Sequence, residues 1–331
     1  MLCIGLEGTA HTLGIGVIDS DGKIYANIRD EYVPESGGIH PREAAQHHAD
    51  VFSSKIQKLL EVLEKQALTL NNMDLIAFSR GPGLGPCLRV TATAARVLSH
   101  LLLNIPLVGV NHCAAHIELG RLVTGFKDPL VVYVSGGNTI ISAYEAGSYR
   151  VFGETLDIAL GNMLDTFARA ARLPHPGGPK IEKLAKNSTG TFVSLPYSVK
   201  GMDLSFSGLL TAAVNKLKED VPLEDLCFSL QEVSFAMLTE VTERALAHTE
   251  KSEVLLTGGV AANKRLQEML QIISQEHDAT FHAISPGLAG DNGVMIAWMG
   301  LIQFMQGDIL DMKNSKILPK WSLSAFEFTR T

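Results

Sequence analysis

Two histidines four residues apart carry the clearest chemical signal in this 331-residue chain. His112 and His116 lie in the run Asn111–His116, which follows the apolar segment Leu107–Val110 and is predicted to begin an amphipathic helix. Side chains at this spacing share one helix face, so both imidazoles could reach one divalent ion. From spacing alone, the alternative is a pair of ordinary surface or core histidines. A zinc-protease helix is excluded because it needs glutamate after the first histidine, where this chain has Cys113.

A third ligand for such an ion must come from elsewhere in the chain. Asp291 lies in a glycine-rich loop directly before the predicted helix Asn292–Met305. Its carboxylate is a suitable hard-oxygen ligand, although an aspartate at this position could equally cap the helix.

A second group of histidines, His40, His47 and His48, surrounds a helix predicted to start at Pro41. His47 and His48 are adjacent, so they face different ways on a helix. This group is therefore predicted to be a packed or polar surface rather than a metal site.

Glycine-rich turns between strands predict a phosphate site of an unusual kind. Ser135–Asn138 could present consecutive backbone N–H groups to a phosphate, and Glu7–Gly16 is a similar turn near the start of the chain. The residues after both turns keep strand character, whereas the P-loop and the Rossmann fingerprint open a helix. Both of those designs are therefore excluded, and so is a Ser-His-Asp triad, because no G-x-S-x-G elbow occurs.

Three polar side chains further along the chain are candidates for a nucleoside. Asp165 and Glu182 flank the turn Gly177–Pro179, and acidic groups beside glycine turns suit ribose hydroxyls. Asn263 could cap the next predicted helix or hydrogen-bond a base edge. Taken singly, each carboxylate could also be a solvated surface charge.

The alternation of strands and helices predicts an α/β fold built from a repeat. A strand, glycine turn and two strands over Leu2–Ile28 are echoed over Leu130–Phe152. This pattern resembles the duplicated actin, Hsp70 and sugar-kinase (ASKHA) fold, which implies two lobes with an interlobe nucleotide cleft. We expect an N-terminal lobe over 1–127, with residues from about 290 to 331 packing on it, and a C-terminal lobe over 128–289.

Composition narrows the class of protein further. Hydrophobic residues make up 46%, charged residues 19%, and the net charge of −7 excludes a chain that is basic throughout. The four cysteines lie far apart without a C-x-x-C pair, and the N-terminus lacks signal-peptide features. Val97–Val110 is too short and polar to span a bilayer. A reduced, cytoplasmic compartment without membrane association is predicted.

Nine sequence motifs follow one another along the chain: EGTAHTLG, GGIHPREAAQHH, GPGLGPCLRV, VNHCAAHIE, YVSGGNT, HPGGPK, MDLSFSGL, TGGVAAN and GDNGVMIA. With these motifs in this order the chain resembles one family, the tRNA threonylcarbamoyltransferases, and within it the archaeal and eukaryal branch that forms the catalytic subunit of the KEOPS complex. The resemblance covers Met1 to about Gly300, whereas residues 301–331 carry no motif. The chain departs from relatives in two places. Ala10–Thr12 lacks the acidic residues of the bacterial branch. Ala289 and Gly290 precede Asp291, where relatives commonly have Cys or Ser and Thr.

The resemblance implies transfer of a threonylcarbamoyl group from threonylcarbamoyl-AMP to the N6 amine of adenosine 37 in tRNAs that read codons beginning with adenine. The alternative is a nucleotide-binding scaffold that regulates a partner kinase or ATPase; a small-molecule kinase or a metalloprotease fits the residues less well. Implied partners are tRNA, a small atypical kinase, a dimerising subunit and a tRNA-tail-binding subunit. Because the chain is acidic, these subunits are expected to supply much of the tRNA contact.

The resemblance also implies roles for individual residues. The metal, iron with zinc as the alternative, would be held by His112, His116, Tyr133 and Asp291. The adenine nucleotide would lie against Tyr133, Val134, Ser135, Gly136, Gly137, Asp165, Gly178, Glu182 and Asn263. The mixed anhydride of the donor is already activated, so no protein nucleophile is needed. Glu7 and His11 are the candidates for accepting the proton that N6 releases, with a structural role in the loop as the alternative.

Overall fold

The computed structural model describes residues 1–34 and 38–330. Gly37, the first residue of the GGIHPREAAQHH motif, therefore lies outside the described residues. The chain divides into two compact units, the first formed by Met1–Val123 with Asp291–Thr331 and the second by Thr124–Gly290.

The first unit contains a five-stranded sheet with the strand order β3-β2-β1-β4-β5. Its strands are β1 Leu2–Glu7, β2 Thr12–Asp19, β3 Ile24–Glu31, β4 Leu75–Gly81 and β5 Leu107–Asn111. The first three strands pair antiparallel, whereas β4 and β5 run parallel to β1. The carboxyl ends of β1, β4 and β5 therefore meet at one edge of the sheet.

The second unit repeats this topology. Its strands are β6 Leu130–Val134, β7 Thr139–Glu145, β8 Ser148–Glu154, β9 Val199–Lys200, β10 Asp203–Leu204, β11 Glu253–Thr257 and β12 Thr280–Ala283. Five of them form a sheet in the order β12-β11-β6-β7-β8, with β6, β7 and β8 antiparallel and β11 and β12 parallel to β6. The predicted echo between the two halves of the chain is confirmed strand for strand.

Helices follow the predicted pattern with some changes at their ends. They are α1 Pro41–Glu64, α2 Gly85–Arg96, α3 His112–Thr124, α4 Leu160–Ala170, α5 Gly177–Ala185, α6 Ser207–Lys216, α7 Leu223–Thr249, α8 Lys264–Glu276, α9 Pro286–Ala289 and α10 Gly293–Met305. α2 begins at Gly85, where Pro86 suits the first helical turn. It then continues as a π-helical turn over Val97–Leu103.

All four cysteines are buried free thiols. Among the helices of residues 1–34 and 38–330, none combines the length and the apolar character needed to cross a membrane.

Close approach of α10 to the first sheet depends on glycine. Side chains alternate along a strand, so Ile4 and Leu6 enter the apolar core shared with α1 and α2 while Gly5 faces the other way, toward α10. A Cβ placed on Gly5 would lie 2.1 Å from the Gly293 carbonyl oxygen, and one on Gly16 would lie 2.3 Å from a backbone nitrogen of α10. The glycines thus let the helix backbone rest directly on the sheet, which fixes the residues at its N-terminus.

We therefore expect Gly5→Ala to destabilise the first unit by about 1–3 kcal/mol, the usual cost of overpacking. Urea unfolding measures this as a lower midpoint. Gly85→Ala is the matched control in the same unit, because a Cβ there would have no neighbour closer than 3.8 Å. Equal midpoints for the two variants would contradict this account of the packing.

Candidate metal centre

The two histidines of the first motif lie at the start of α3, as predicted. The Asn111 side-chain oxygen accepts hydrogen bonds from the backbone N–H groups of Cys113 (3.0 Å) and Ala114 (3.2 Å), so it caps the helix. His112 and His116 are both buried, and their rings meet edge to face with centroids 4.8 Å apart. The pair therefore shares one face, with the rings too close for an intervening side chain.

Asp291 brings a carboxylate to this pair across 175 residues of sequence. Its Oδ1 lies 3.1 Å from His116 Nε2 and 3.5 Å from His112 Nε2. Asn292, not Asp291, caps α10, accepting from the Met295 N–H at 3.0 Å. The capping alternative for Asp291 is therefore wrong, and its carboxylate remains available to a ligand.

The three candidate ligand atoms lie within 4.8 Å of one another. Two neutral imidazole nitrogens and one carboxylate oxygen form a donor set that suits Fe²⁺ or Zn²⁺. The residues present thus fit the predicted divalent metal ion.

Glu7, at the end of β1, holds the far side of His112. Its Oε2 lies 3.0 Å from His112 Nδ1, and its Oε1 accepts from both the backbone N–H (2.7 Å) and the hydroxyl (2.5 Å) of Thr9. A carboxylate on Nδ1 fixes the ring orientation and leaves Nε2 as the metal-facing nitrogen. Neither this contact of Glu7 with His112 nor the part of Thr9 could be predicted from the spacing of the residues.

His11, the other candidate proton acceptor, lies four residues beyond Glu7 and is half-buried. Its Nδ1 is buried and has no hydrogen-bond partner among residues 1–34 and 38–330.

The pKa values of the two histidines are shifted in opposite directions. Burial lowers the pKa of His112, but the negative charges of Glu7 and Asp291 outweigh it and raise that pKa to about 9. For His116, burial lowers the pKa, and the hydrogen bond to Asp291 offsets this only in part. Burial would raise the pKa of Asp291, but His112 and His116 hold it well below its usual range. One imidazole is thus already neutral, the carboxyl is ionised, and His112 carries the proton that a metal must displace.

The second histidine group is not part of this cluster. His48 is fully buried, with Nε2 3.1 Å from the Ala10 carbonyl oxygen, while His47 pairs with Asp30 at 2.8 Å. Burial, followed by the charge of His47, lowers the pKa of His48 to about 4, so it is a neutral donor. The prediction of packed or polar histidines here is confirmed.

In the second unit, the Ser135–Asn138 turn leaves room for a ligand. Tyr133 and Val134 are buried at the end of β6, and the Tyr133 hydroxyl accepts from the Asn138 amide at 3.5 Å. The backbone N–H groups of Gly137 and Asn138 donate to Ser135 Oγ at 3.2 and 3.0 Å. A phosphate would have to replace these two bonds.

Gly136 and Gly137 are exposed, and a Cβ on either would have no neighbour within 4 Å. Open space therefore lies beside the turn, where no side chain of the second unit intrudes.

The remaining predicted nucleotide contacts tie segments of the second unit together. Asp165 Oδ1 accepts from the Gly177 N–H at 2.7 Å, which fixes the turn that contains Gly178. Glu182 Oε1 accepts from the Lys264 N–H at 3.2 Å. The two carboxylates are thus anchored through backbone groups.

Asn263 is the N-cap of α8, the alternative that the sequence left open. Its Oδ1 accepts from the N–H groups of Arg265 (3.0 Å) and Leu266 (3.2 Å). Its Nδ2 donates to Gln231 Oε1 at 3.0 Å, a partner on α7 that no motif marks.

The raised pKa of His112 predicts a pH dependence of the metal-free chain. The stabilisation is fully present below the ordinary histidine pKa of 6.5 and is lost as the pH rises toward about 9, because the folded state holds a proton that the unfolded state has released. The free energy of unfolding should therefore fall between these pH values. In Glu7→Gln the slope over this window should be shallower, and an equal slope in both proteins would contradict the assigned pairing.

The amino-acid sequence of the chain matches those of known proteins. A sequence profile of the TsaD family, described as tRNA N6-adenosine threonylcarbamoyltransferase, matches residues 23–298. The chain is 54% identical over 327 residues to a probable bifunctional tRNA threonylcarbamoyladenosine biosynthesis protein of Methanobrevibacter smithii, covering 99% of this chain and 60% of that protein. A protein of the same name from Methanothermobacter thermautotrophicus is 57% identical over 304 residues, 92% of this chain and 56% of the relative. The chain thus spans about 60% of the length of the curated relatives it matches.

Solved structures that are distant in sequence share the fold. HypF of T. kodakarensis superposes with a TM-score of 0.63 at 15% identity, over 96% of this chain and 49% of HypF. The activator of 2-hydroxyisocaproyl-CoA dehydratase from Clostridium difficile, solved with bound ADPNP, has a TM-score of 0.55 at 11% identity, over 94% and 99% of the two chains. The predicted actin-, Hsp70- and sugar-kinase-like fold class is confirmed. With the family profile matching most of its length, the chain belongs to the tRNA N6-adenosine threonylcarbamoyltransferase family.

Proposed function

We propose that the chain transfers the threonylcarbamoyl group of threonylcarbamoyl-AMP to N6 of adenosine 37, next to the anticodon, in tRNAs that read codons beginning with adenine. The observation that carries the proposal is the His112–His116–Asp291 cluster, with both histidines buried, in a chain of this family. The curated relatives are named for tRNA threonylcarbamoyladenosine biosynthesis, which supports the same product.

In this reaction the N6 nitrogen forms a bond to the carbamoyl carbon, the bond from that carbon to the AMP phosphate oxygen breaks, and N6 releases a proton. The donor is activated by its mixed anhydride, so the protein contributes orientation and charge stabilisation rather than a nucleophile. A divalent metal ion would supply electrostatic stabilisation of the negative charge on phosphate or carbonyl oxygen.

His112, His116 and Asp291 would hold that ion, and iron is the metal we propose. Two histidines and one carboxylate are the ligand set of many non-haem Fe²⁺ sites, with zinc as the alternative. Tyr133 as a fourth ligand rests on the family resemblance.

The two proposed catalytic residues differ in their surroundings. The Glu7 carboxylate is fully buried and engaged with His112 and Thr9, so we assign it the positioning of His112. His11, whose Nδ1 lacks a hydrogen-bond partner within the described residues, keeps the proposed role of proton acceptor.

We propose that the adenine nucleotide binds to the second unit. Its phosphate would lie at Ser135–Gly137 after Tyr133 and Val134, its ribose near Asp165, Gly178 and Glu182, and its adenine on the side of Asn263. The open space beside Gly136 and Gly137 supports the phosphate position. The dehydratase activator of the same fold was solved with bound ADPNP, which also supports a nucleotide.

We further propose that the chain works in the cytoplasm as the catalytic subunit of a KEOPS-type complex, with a small kinase or ATPase, a dimerising subunit and a tRNA-tail-binding subunit. The net charge of −7 gives the chain little general attraction for a phosphate backbone, so partners would supply much of the tRNA contact. The word bifunctional in the relatives' names, and their greater length, support a second activity working beside this one.

Substitution of a metal ligand tests the reaction. In a reconstituted system that traces labelled threonine into tRNA, His116→Ala should lower the rate at least 100-fold, because the variant loses a proposed metal ligand. His282→Ala, which removes an exposed histidine of the second unit, should leave the rate unchanged. Full activity of His116→Ala would favour a nucleotide-binding scaffold over an enzyme.

The phosphate position has its own test. Gly137→Val should leave the fold intact, because the new side chain enters open space, but should weaken binding of an adenine nucleotide about tenfold or more by occupying the place of the phosphate. Gly208→Ala is the control, since a Cβ there also meets nothing within 4 Å but lies at the start of α6. Isothermal titration calorimetry measures the affinity of both variants for the adenine nucleotide. Unchanged affinity in Gly137→Val would contradict a phosphate site at this turn.

A further inference from the structure

The segment that follows α10 is long and irregular yet firmly held. Residues 306–330 contain no strand and only a short 3₁₀ turn, Leu323–Ala325, and irregular segments of this length in compact domains usually carry a function. Arg80, in β4, donates from Nε to the Lys316 carbonyl and from Nη2 to the Asn314 carbonyl, both at 2.7 Å. Its guanidinium also lies 5.7 Å from the ring centroid of Trp321. Residues 314–321, here called the tail anchor, are thus fixed along the carboxyl end of β4.

One route leads from the tail anchor to the metal ligands through Asn111. The side chain of Asn111 is fully buried, and its Nδ2 donates to the Trp321 carbonyl at 3.2 Å. Its Oδ1 is the cap of α3, the helix that begins at His112. The amide therefore joins the tail anchor to the helix end that carries both histidines.

A second route passes through the glycine loop Gly81–Gly85. On its outer side, a Cβ on Gly81 would lie 1.9 Å from the Leu318 carbonyl oxygen, and the Gly83 N–H donates to the Pro319 carbonyl at 3.1 Å. The loop backbone thus rests directly on the tail anchor.

On its inner side the same loop supports Thr9. The Leu84 N–H donates to the Thr9 carbonyl at 2.7 Å, and a Cβ on Gly83 would lie 2.7 Å from that oxygen. Thr9 in turn donates two hydrogen bonds to Glu7, the carboxylate that orients His112. The GPGLG motif has no role in the proposed chemistry, and this contact gives it a structural role as the support of Thr9.

We propose that the tail anchor positions His112 for metal binding, through Asn111 on one side and through the glycine loop and Thr9 on the other. This inference rests on the proposed metal centre. Both routes end at one imidazole, so loosening either of them frees the ring to turn away from Asp291. Loss of outer partners that orient a metal-bound histidine costs about 10–100-fold in metal affinity.

Asn111→Ser separates positioning from helix capping. Serine is a good N-cap, so α3 should still form, but its hydroxyl is too short to reach the Trp321 carbonyl. We expect Co²⁺, followed by its visible absorption, to bind about 10–100-fold more weakly to this variant, with an altered ligand-field spectrum and unchanged far-ultraviolet circular dichroism.

Arg80→Ala tests the same inference from the outer side, at a residue that touches none of the proposed ligands. It releases the Asn314 and Lys316 carbonyls and should weaken Co²⁺ binding in the same direction. Gln306→Ala is the matched control, because it removes a tail bond to the Thr329 carbonyl (2.5 Å) away from the tail anchor and should bind Co²⁺ like the unsubstituted chain.

The outcomes separate this inference from the proposed metal centre. If the unsubstituted chain binds Co²⁺ and His116→Ala does not, the centre stands. Asn111→Ser and Arg80→Ala must then both bind more weakly than Gln306→Ala, and affinities within twofold of the unsubstituted chain in either variant would overturn the role of the tail anchor. If the unsubstituted chain itself fails to bind Co²⁺, the metal centre fails and the inference fails with it.

Discussion

An ionised carboxylate buried away from water costs several kcal/mol unless it is paired and hydrogen-bonded. Glu7 is fully buried at the end of the central strand of the first unit, and Thr9 and His112 satisfy both of its oxygens. The pairing holds only if the helix that follows β5 starts where it does, with His112 facing β1. The placement of α3, and with it His116, therefore follows from the need to satisfy one buried charge.

Glycine supplies the geometry that this pairing needs. Gly5, Gly14 and Gly16 let α10 lie against β1 and β2 at backbone contact distance, and a Cβ on any of them would meet the backbone at the start of that helix. Asp291 directly precedes α10, so the same close approach sets its distance from the histidines. Larger residues at these positions would overlap the backbone of α10 and would move the Asp291 carboxylate away from its partners.

Much of this arrangement could be predicted from sequence because it depends on short-range patterns. Strand and glycine-turn alternation gave the repeated three-stranded units, and the i, i+4 spacing placed His112 and His116 on one helix face. For Asp291, sequence left a ligand and a helix cap as alternatives, since a carboxylate before a helix is typical of both, and the cap is Asn292. The hydrogen bonds of Thr9 with Leu84, Gln231 with Asn263 and Trp321 with Asn111 could not be predicted, because each joins segments far apart in the chain, with no local pattern to mark it. The irregular segment after α10 has no hydrophobic periodicity. Arg80, Gly83 and Asn111 bind it through its backbone carbonyls, which any residue provides.

A metal ion held by His116 and Asp291 would have a thermodynamic consequence for the first unit. Asp291 and His116 are separated by 175 residues, which include the whole second unit. An ion that binds only when the two are together stabilises the folded state by mass action, in proportion to the logarithm of its free concentration over its dissociation constant. The cost of closing such a long loop grows only slowly with its length, so inserting a complete unit between the ligands is tolerated.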